Sequence, residues 1–140
     1  MADYPQNLVH PHHLFDGTEV VVRPIRPEDA AIEQDFVRGL SDDSRYNRFM
    51  GQLRELSPRK LQYMTTIDYD LHMALIATAM RDGHEVEIGV ARYIVTPGSD
   101  SGEFAIVVDD AWQGTGMAGI LMLDLIAAAR SKGLKTLEGF

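Results

Sequence analysis

The chain has 140 residues, of which 45% are apolar and 24% charged, so it has the size and composition of one globular domain with a real hydrophobic core. Its formal net charge of −8 argues against nucleic-acid binding, which needs a basic surface, and the absence of cysteine excludes disulfides, thiolate nucleophiles and Cys-type metal sites. No stretch approaches membrane-spanning length and no basic segment followed by an apolar run opens the chain, so a cytoplasmic protein without a membrane partner is expected.

Residues 1–15 contain Pro5, Pro11, His10, His12 and His13 and show no periodicity. They are expected to form an extended, partly mobile lead-in to a domain spanning 16–140, and the histidines are assigned no metal. Asp16-Gly17 signals a turn, and the β-branched run after it predicts a first strand over Thr18 to Arg26. Pro24 cannot donate to a ladder, so that strand should lie at an edge or be irregular there. Pro27-Glu28-Asp29 opens a helix in which Ala31, Ile32, Phe36, Val37 and Leu40 follow helical spacing and Gly39 signals the end. A short helix is expected over Ser44 to Met50, with Tyr46, Phe49 and Met50 inward and Arg45 and Arg48 outward or toward an anion. Ser57-Pro58 opens another that runs to about Thr66.

Three strands follow, Met73–Met80, Glu87–Thr96 and Glu103–Val108, joined by the turns Arg81-Asp82-Gly83-His84 and Pro97-Gly98. Short polar turns between successive strands make an antiparallel meander. A long helix, Ile120 to Lys132, is apolar nearly all round, with Asp124 and Ser131 marking a narrow polar stripe, so it should be well covered by sheet. Gly133 ends it and Thr136 to Phe140 begins a further strand.

Between the meander and the long helix lies Asp109-Asp110-Ala111-Trp112-Gln113-Gly114-Thr115-Gly116-Met117-Ala118-Gly119. Its glycines permit close backbone approach, and the helix behind it offers unpaired N–H groups and a positive dipole end, which together suit a pyrophosphate. Glycines also serve tight helix–strand packing, so the turn alone leaves both readings open. A Rossmann site fits worse, because too little chain follows to supply a strand with a ribose-binding acid, and a Walker loop is excluded because no Gly-Lys-Ser/Thr follows.

The pattern Gln113-x-x-Gly116-x-Ala118 resembles the acyl-coenzyme A signature of the GCN5-related N-acetyltransferases, in its place after a strand and before a long helix. The order of elements resembles that family as well. The local wording Tyr4-Pro5, Asp16-Gly17, Arg23-Pro24-Ile25-Arg26-Pro27-Glu28-Asp29, Ser44-Arg45-Tyr46, Arg48-Phe49 and Glu103-Phe104-Ala105 is similar to the acetyltransferase domain of acyl-CoA-synthetase-like protein lysine acetyltransferases. The resemblance implies an α+β acyl-CoA N-acyltransferase fold, with a mixed, mainly antiparallel sheet flanked by helices. It implies acetyl-coenzyme A as acyl donor and an amine acceptor, a protein lysine being the candidate. Main-chain amides of Gln113, Gly114, Thr115, Gly116, Met117 and Ala118 would hold the pyrophosphate. Main chain near Val107 and Val108 would pair with the pantetheine arm, and an amide there would polarise the thioester carbonyl.

The family's usual general base is a strand glutamate, and the matching residue is Glu103, with Glu85 and Glu87 as alternatives. A solvated glutamate at a strand start is the plain competing reading. No general acid transfers, since the tyrosines at 4, 46, 63, 69 and 93 do not match the family's motif. The family's fold continues with a further helix and two strands, whereas this sequence stops at Phe140. The expectation is therefore an incomplete core after the strand starting at Thr136, a weakened grip on coenzyme A, and association such as a homodimer through exposed edges. A non-catalytic coenzyme A-binding module is the alternative to an enzyme.

Overall fold

The computed structural model describes residues 3–40 and 55–139, so the helix expected over Ser44 to Met50 lies outside the described residues. The described elements are β1 (His10–His13), β2 (Glu19–Pro24), α1 (Ala30–Arg38), α2 (Pro58–Thr65), β3 (His72–Arg81), β4 (His84–Val95), β5 (Ser101–Val108), α3 (Met117–Ser131) and β6 (Thr136–Gly139). They build one six-stranded sheet in the order β1-β2-β3-β4-β5-β6. Every pairing is antiparallel except β5 with β6, which α3 joins as a crossover and which run parallel. Among the described residues no helix is long and apolar enough to cross a membrane.

The meander forms where expected, and its turn chemistry accounts for it. Asp82 and Gly83 take φ of 52° and 80°, the paired positive values of a hairpin turn that matches strand twist, so β3 runs to Arg81 and β4 starts at His84. The β3–β4 register shifts between Ala77 and Thr78, because Gly89 faces Ala77 and Glu87 faces Thr78, which leaves Ile88 as an extra residue in β4. That bulge keeps Ile88 and Glu87 both buried.

Three local outcomes differ from the sequence reading. His10–His13, placed in the lead-in, hydrogen-bonds to β2 as the sheet's outer strand, with His10 opposite Val22 and His13 opposite Glu19. Pro24 accordingly sits in a strand flanked on both sides, yet β1 reaches only Val22, so the proline's missing donor falls where β1 is no longer alongside. In α1 the inward stripe is Glu33, Phe36 and Val37, while Ala31 is exposed. A buried glutamate among core residues cannot be read from apolar spacing.

α3 starts at Met117, three residues before the apolar run suggested, because Gly116 adopts φ 93° and can act as the left-handed entry residue. Met117, Leu121, Leu125, Ala128 and Ala129 form its buried stripe against the sheet. Leu121 and Leu125 are wholly covered, each contributing about 1.5–3 kcal/mol of burial. The helix ends in a glycine motif: Gly133 has φ 78° and Leu134 N–H returns to Ala129 O at 3.1 Å. Asp124, in the polar stripe, is largely covered, whereas Ser131 is exposed. His12 Nε2 meets Asp124 Oδ2 at 2.9 Å, with His10 Nδ1 3.9 Å away, so β1 covers it.

On the opposite face α1 and α2 cover a layer of buried charge. Arg23 makes a bidentate pair with Asp29 at 2.7 Å through each nitrogen and reaches Glu85 at 3.2 Å. Arg92, with no exposed surface, donates to Glu33 Oε2 and Met64 O, each at 2.9 Å, and meets His72 Nε2 at 2.6 Å.

Candidate functional site

The turn after β5 is locally self-supporting. Asp109 caps the 3-10 turn Asp110–Trp112 by accepting from Ala111 N–H, and Thr115 Oγ1 donates to Trp112 O. Gly114 and Gly116 take φ of 78° and 93°, which side-chain-bearing residues rarely adopt. Among the described residues no side chain caps the N-terminus of α3, whose first-turn N–H groups have no acceptor within the helix. A Cβ built on Gly114 or Gly119 meets nothing within 4 Å, leaving open space over this end of the helix. Gly116 differs: a Cβ there would lie 2.9 Å from Phe15 Cζ. Gln113, Gly114 and Ala118 are exposed, Thr115 and Gly116 half-buried, and Met117 is anchored in the core. The turn thus presents main chain to solvent, with small or absent side chains around it.

Beside that helix end, part of the β5 edge has no described neighbour. β6 pairs with β5 only as far as Phe104 opposite Gly139, and among the described residues no strand lies along the same side of Ala105 to Val108. Asp109 N–H donates to Ile88 O at 2.9 Å, and Val107 O points toward Gly89 on β4. Main-chain direction alternates along a strand. The groups of Val107 are therefore directed to β4, while those of Ile106 and Val108 are directed to the open side. A cleft of about 430 Å³ follows this edge, lined by Phe104, Ala105, Ile106, Ala118, Gly119, Met122 and Gly139. The exposed strand edge and the uncapped helix end thus open onto one groove.

The three candidate carboxylates occupy different surroundings. Glu103 is exposed in the middle of β5, opposite Ile94 on β4 and Glu138 on β6. It shares a face with Ala105 and, across the strand, Arg92, which is the face covered by α1 and α2. Phe104, on the other face, lines the cleft. Glu85 is engaged by Arg23. Glu87 is buried, and among the described residues neither of its oxygens nor Glu33 Oε1 has a hydrogen-bond partner. Burial first, then the neighbouring Glu33, raises the Glu87 pKa well above 4.5. Glu85 and Glu87 line a separate cavity of about 480 Å³ with Asp35, His84, Asp109 and Trp112. Glu103 lies on the strand that borders the cleft, and the other two do not.

Sequence reasoning missed Phe15 and the edge-directed main chain of Ile106. Phe15 sits far from the glycine turn in sequence and carries no motif of its own. Alternation along β5 was legible, but the side on which its main chain is free depends on which strands flank it.

A mixed sheet with a crossover helix whose glycine-opened end meets a free strand edge defines an acyl-CoA N-acyltransferase fold. The acetyltransferase PA5475 of Pseudomonas aeruginosa is 38% identical over 122 residues, which cover 87% of this chain and 66% of the relative. The GNAT domain of PAT from S. lividans superposes with a TM-score of 0.84 at 30% identity, covering 98% of this chain and 80% of that domain. A cAMP-binding acyltransferase from Mycobacterium smegmatis gives a TM-score of 0.62 at 25% identity, covering 96% of this chain and 39% of that protein. No protein-family model matches the chain. The chain belongs to the GCN5-related N-acetyltransferase (GNAT) family, and it spans about two thirds of the P. aeruginosa relative.

Proposed function

We propose that the protein transfers an acetyl group from acetyl-coenzyme A to an amine, with a protein lysine as the acceptor class. The observation that carries this reading is the single groove shared by the uncapped N-terminus of α3 and the free main-chain edge of β5. The groove fits the donor: Gly114 and Gly119 leave room for phosphate oxygens to approach the amides from Gln113 to Ala118. Main chain of Ile106 and Val108 pairs with the pantetheine amides like an added strand, with Val107 bracing them through β4. An N–H at this edge donates to the carbonyl oxygen as charge develops there. Bound acetyl-coenzyme A supplies the activated thioester.

Glu103 takes the proton from the acceptor. A lysine amine with pKa near 10.4 costs about 4.6 kcal/mol to deprotonate at pH 7, so a positioned base is needed. Glu103 is exposed, close in sequence to the strand edge, and on the face away from Phe104, so an amine can approach it from outside the groove.

Calorimetric titration with acetyl-coenzyme A, followed by acetylation of whole-cell protein, tests both parts. Glu103→Gln is expected to leave the affinity intact and to lower turnover at neutral pH by about a hundredfold, with partial recovery at higher pH as free amine accumulates. Binding without turnover in the parent would make the protein a coenzyme A-binding module instead. An unchanged pH profile in Glu103→Gln would remove Glu103 as the base.

A further inference from the structure

We propose that Phe15 is the platform on which the adenine of coenzyme A stacks, an inference that rests on the acetyl-coenzyme A reading above. Phe15 is 87% exposed, the largest value among the exposed large hydrophobic residues described, although water disfavours so bare an aromatic ring. Its backbone is nevertheless tied down. Leu14 N–H bonds Thr18 O and Gly17 N–H bonds Leu14 O, each at 2.9 Å, and Asp16 Oδ1 accepts from Thr18 N–H, which closes the turn that displays it.

That turn is tied to the glycine loop itself. Phe15 N–H donates to Thr115 O at 3.2 Å, and the far end of the ring stands over Gly116, where a Cβ would fall 2.9 Å from Cζ and 3.1 Å from Cε1. Cζ, Cε1 and Cε2 lie at nearly equal distances from that position, so Gly116 sits against one face of the ring near its far end, and at 87% exposure the other face stays open to water. The arrangement puts a rigid, bare aromatic surface directly beside the amides assigned to the pyrophosphate. In coenzyme A the group joined to the pyrophosphate, on the side away from pantetheine, is an adenosine. A purine has a π-face that stacks on such a ring without needing any hydrogen-bond partner, which suits a site that offers only a phenyl group. β1 joins the turn to the sheet through its pairing with β2 and to α3 through His12 on Asp124.

The test compares the effect of each variant on two ligands: acetyl-coenzyme A, and S-acetyl-4′-phosphopantetheine, which lacks the 3′-phosphoadenosine and one phosphate of the pyrophosphate. Titrations use the full chain, Phe15→Ala and Phe15→Tyr. Phe15→Ala is expected to weaken acetyl-coenzyme A about tenfold, the scale of one base–aromatic stack, and to leave S-acetyl-4′-phosphopantetheine unchanged. Phe15→Tyr, which keeps the ring, should bind both as the parent does. Equal weakening of both ligands by Phe15→Ala would mean that the ring only braces the loop, and no weakening of either would mean that the base lies elsewhere; each overturns the proposal. A parent that binds neither ligand overturns the coenzyme A reading, a result distinct from both.

Discussion

Gly114 and Gly116 share a left-handed backbone but not a reason for being glycine. Above Gly114 there is open space, so Gly114→Ala meets only the conformational cost of its φ of 78°, about 1–2 kcal/mol. At Gly116 the same backbone cost is joined by contact with the Phe15 ring. Gly116→Val is therefore expected to lower the melting temperature more than Gly114→Ala, and to weaken acetyl-coenzyme A as well. Melting curves and titrations on the two variants check this, and equal melting temperatures would show that Phe15 yields freely. Another pair of residues sets the response to pH. Burial, and then the Arg92 guanidinium, push the His72 pKa down from 6.5 to about 3, so the folded protein resists a proton that the unfolded chain accepts. Stability should then fall with acidification below about 6.5, by up to about 1.4 kcal/mol per pH unit. Glu87 acts in the other sense: its pKa is raised above 4.5, so the folded state keeps a proton the unfolded chain releases, and stability falls as pH rises beyond 4.5. Above about 4.5 the two slopes oppose each other, so the loss on acidification is steepest below that pH. Denaturant titrations across pH 3 to 8 measure it; Glu87→Gln should remove the opposing fall above 4.5, and His72→Gln should flatten the loss on acidification.

Among the elements, β1 is the one whose position depends on contacts distant in sequence. Its sequence, His-Pro-His-His, lacks apolar alternation, and it joins the sheet through main-chain pairing with β2 and the His12–Asp124 contact. Asp124 is only 16% exposed at its side chain, so removing the imidazole strands a nearly covered carboxylate. His12→Ala should cost about 1 kcal/mol or more and lower the melting temperature by a few degrees, whereas His13→Ala, against the exposed Glu19, should be close to neutral. Thermal melts of the two variants side by side decide it. This contrast also marks what was legible in the chain. The meander, the glycine turn and the long helix announce themselves through alternation, turn residues and apolar spacing, all local signals. The strand His10–His13, the buried Glu33, Glu87 and Arg92, and the ring of Phe15 over Gly116 depend on partners far away in sequence, and no local pattern encodes them. In α1 the physical reason is specific: Glu33 takes an inward position because Arg92, fifty-nine residues later, is there to meet it.

Over the whole molecule, the sheet divides the labour. One face carries α3 and the groove beside β5; the other carries α1, α2 and the layer of paired charge. The order of pairing switches from antiparallel to parallel at β6, whose described residues pair with β5 from Ser101 to Phe104. Strand pairing also has a consequence in time. β3, β4 and β5 are joined by short turns, whereas β2 must find β3 across the whole stretch from Pro24 to His72. Closing that long loop is entropically slower than zipping consecutive hairpins. We expect the transition state for folding to contain the β3–β4 hairpin, with β2 docking on the downhill side. Ile76→Val should then mainly slow refolding and Val22→Ala mainly speed unfolding, as measured by stopped-flow chevrons. The reverse pattern would place the nucleus at the first strands. If the hairpin leads, the half of the sheet that holds β4 and β5 takes shape before the half that carries β1, so on refolding the turn that displays Phe15 arrives last at the glycine loop.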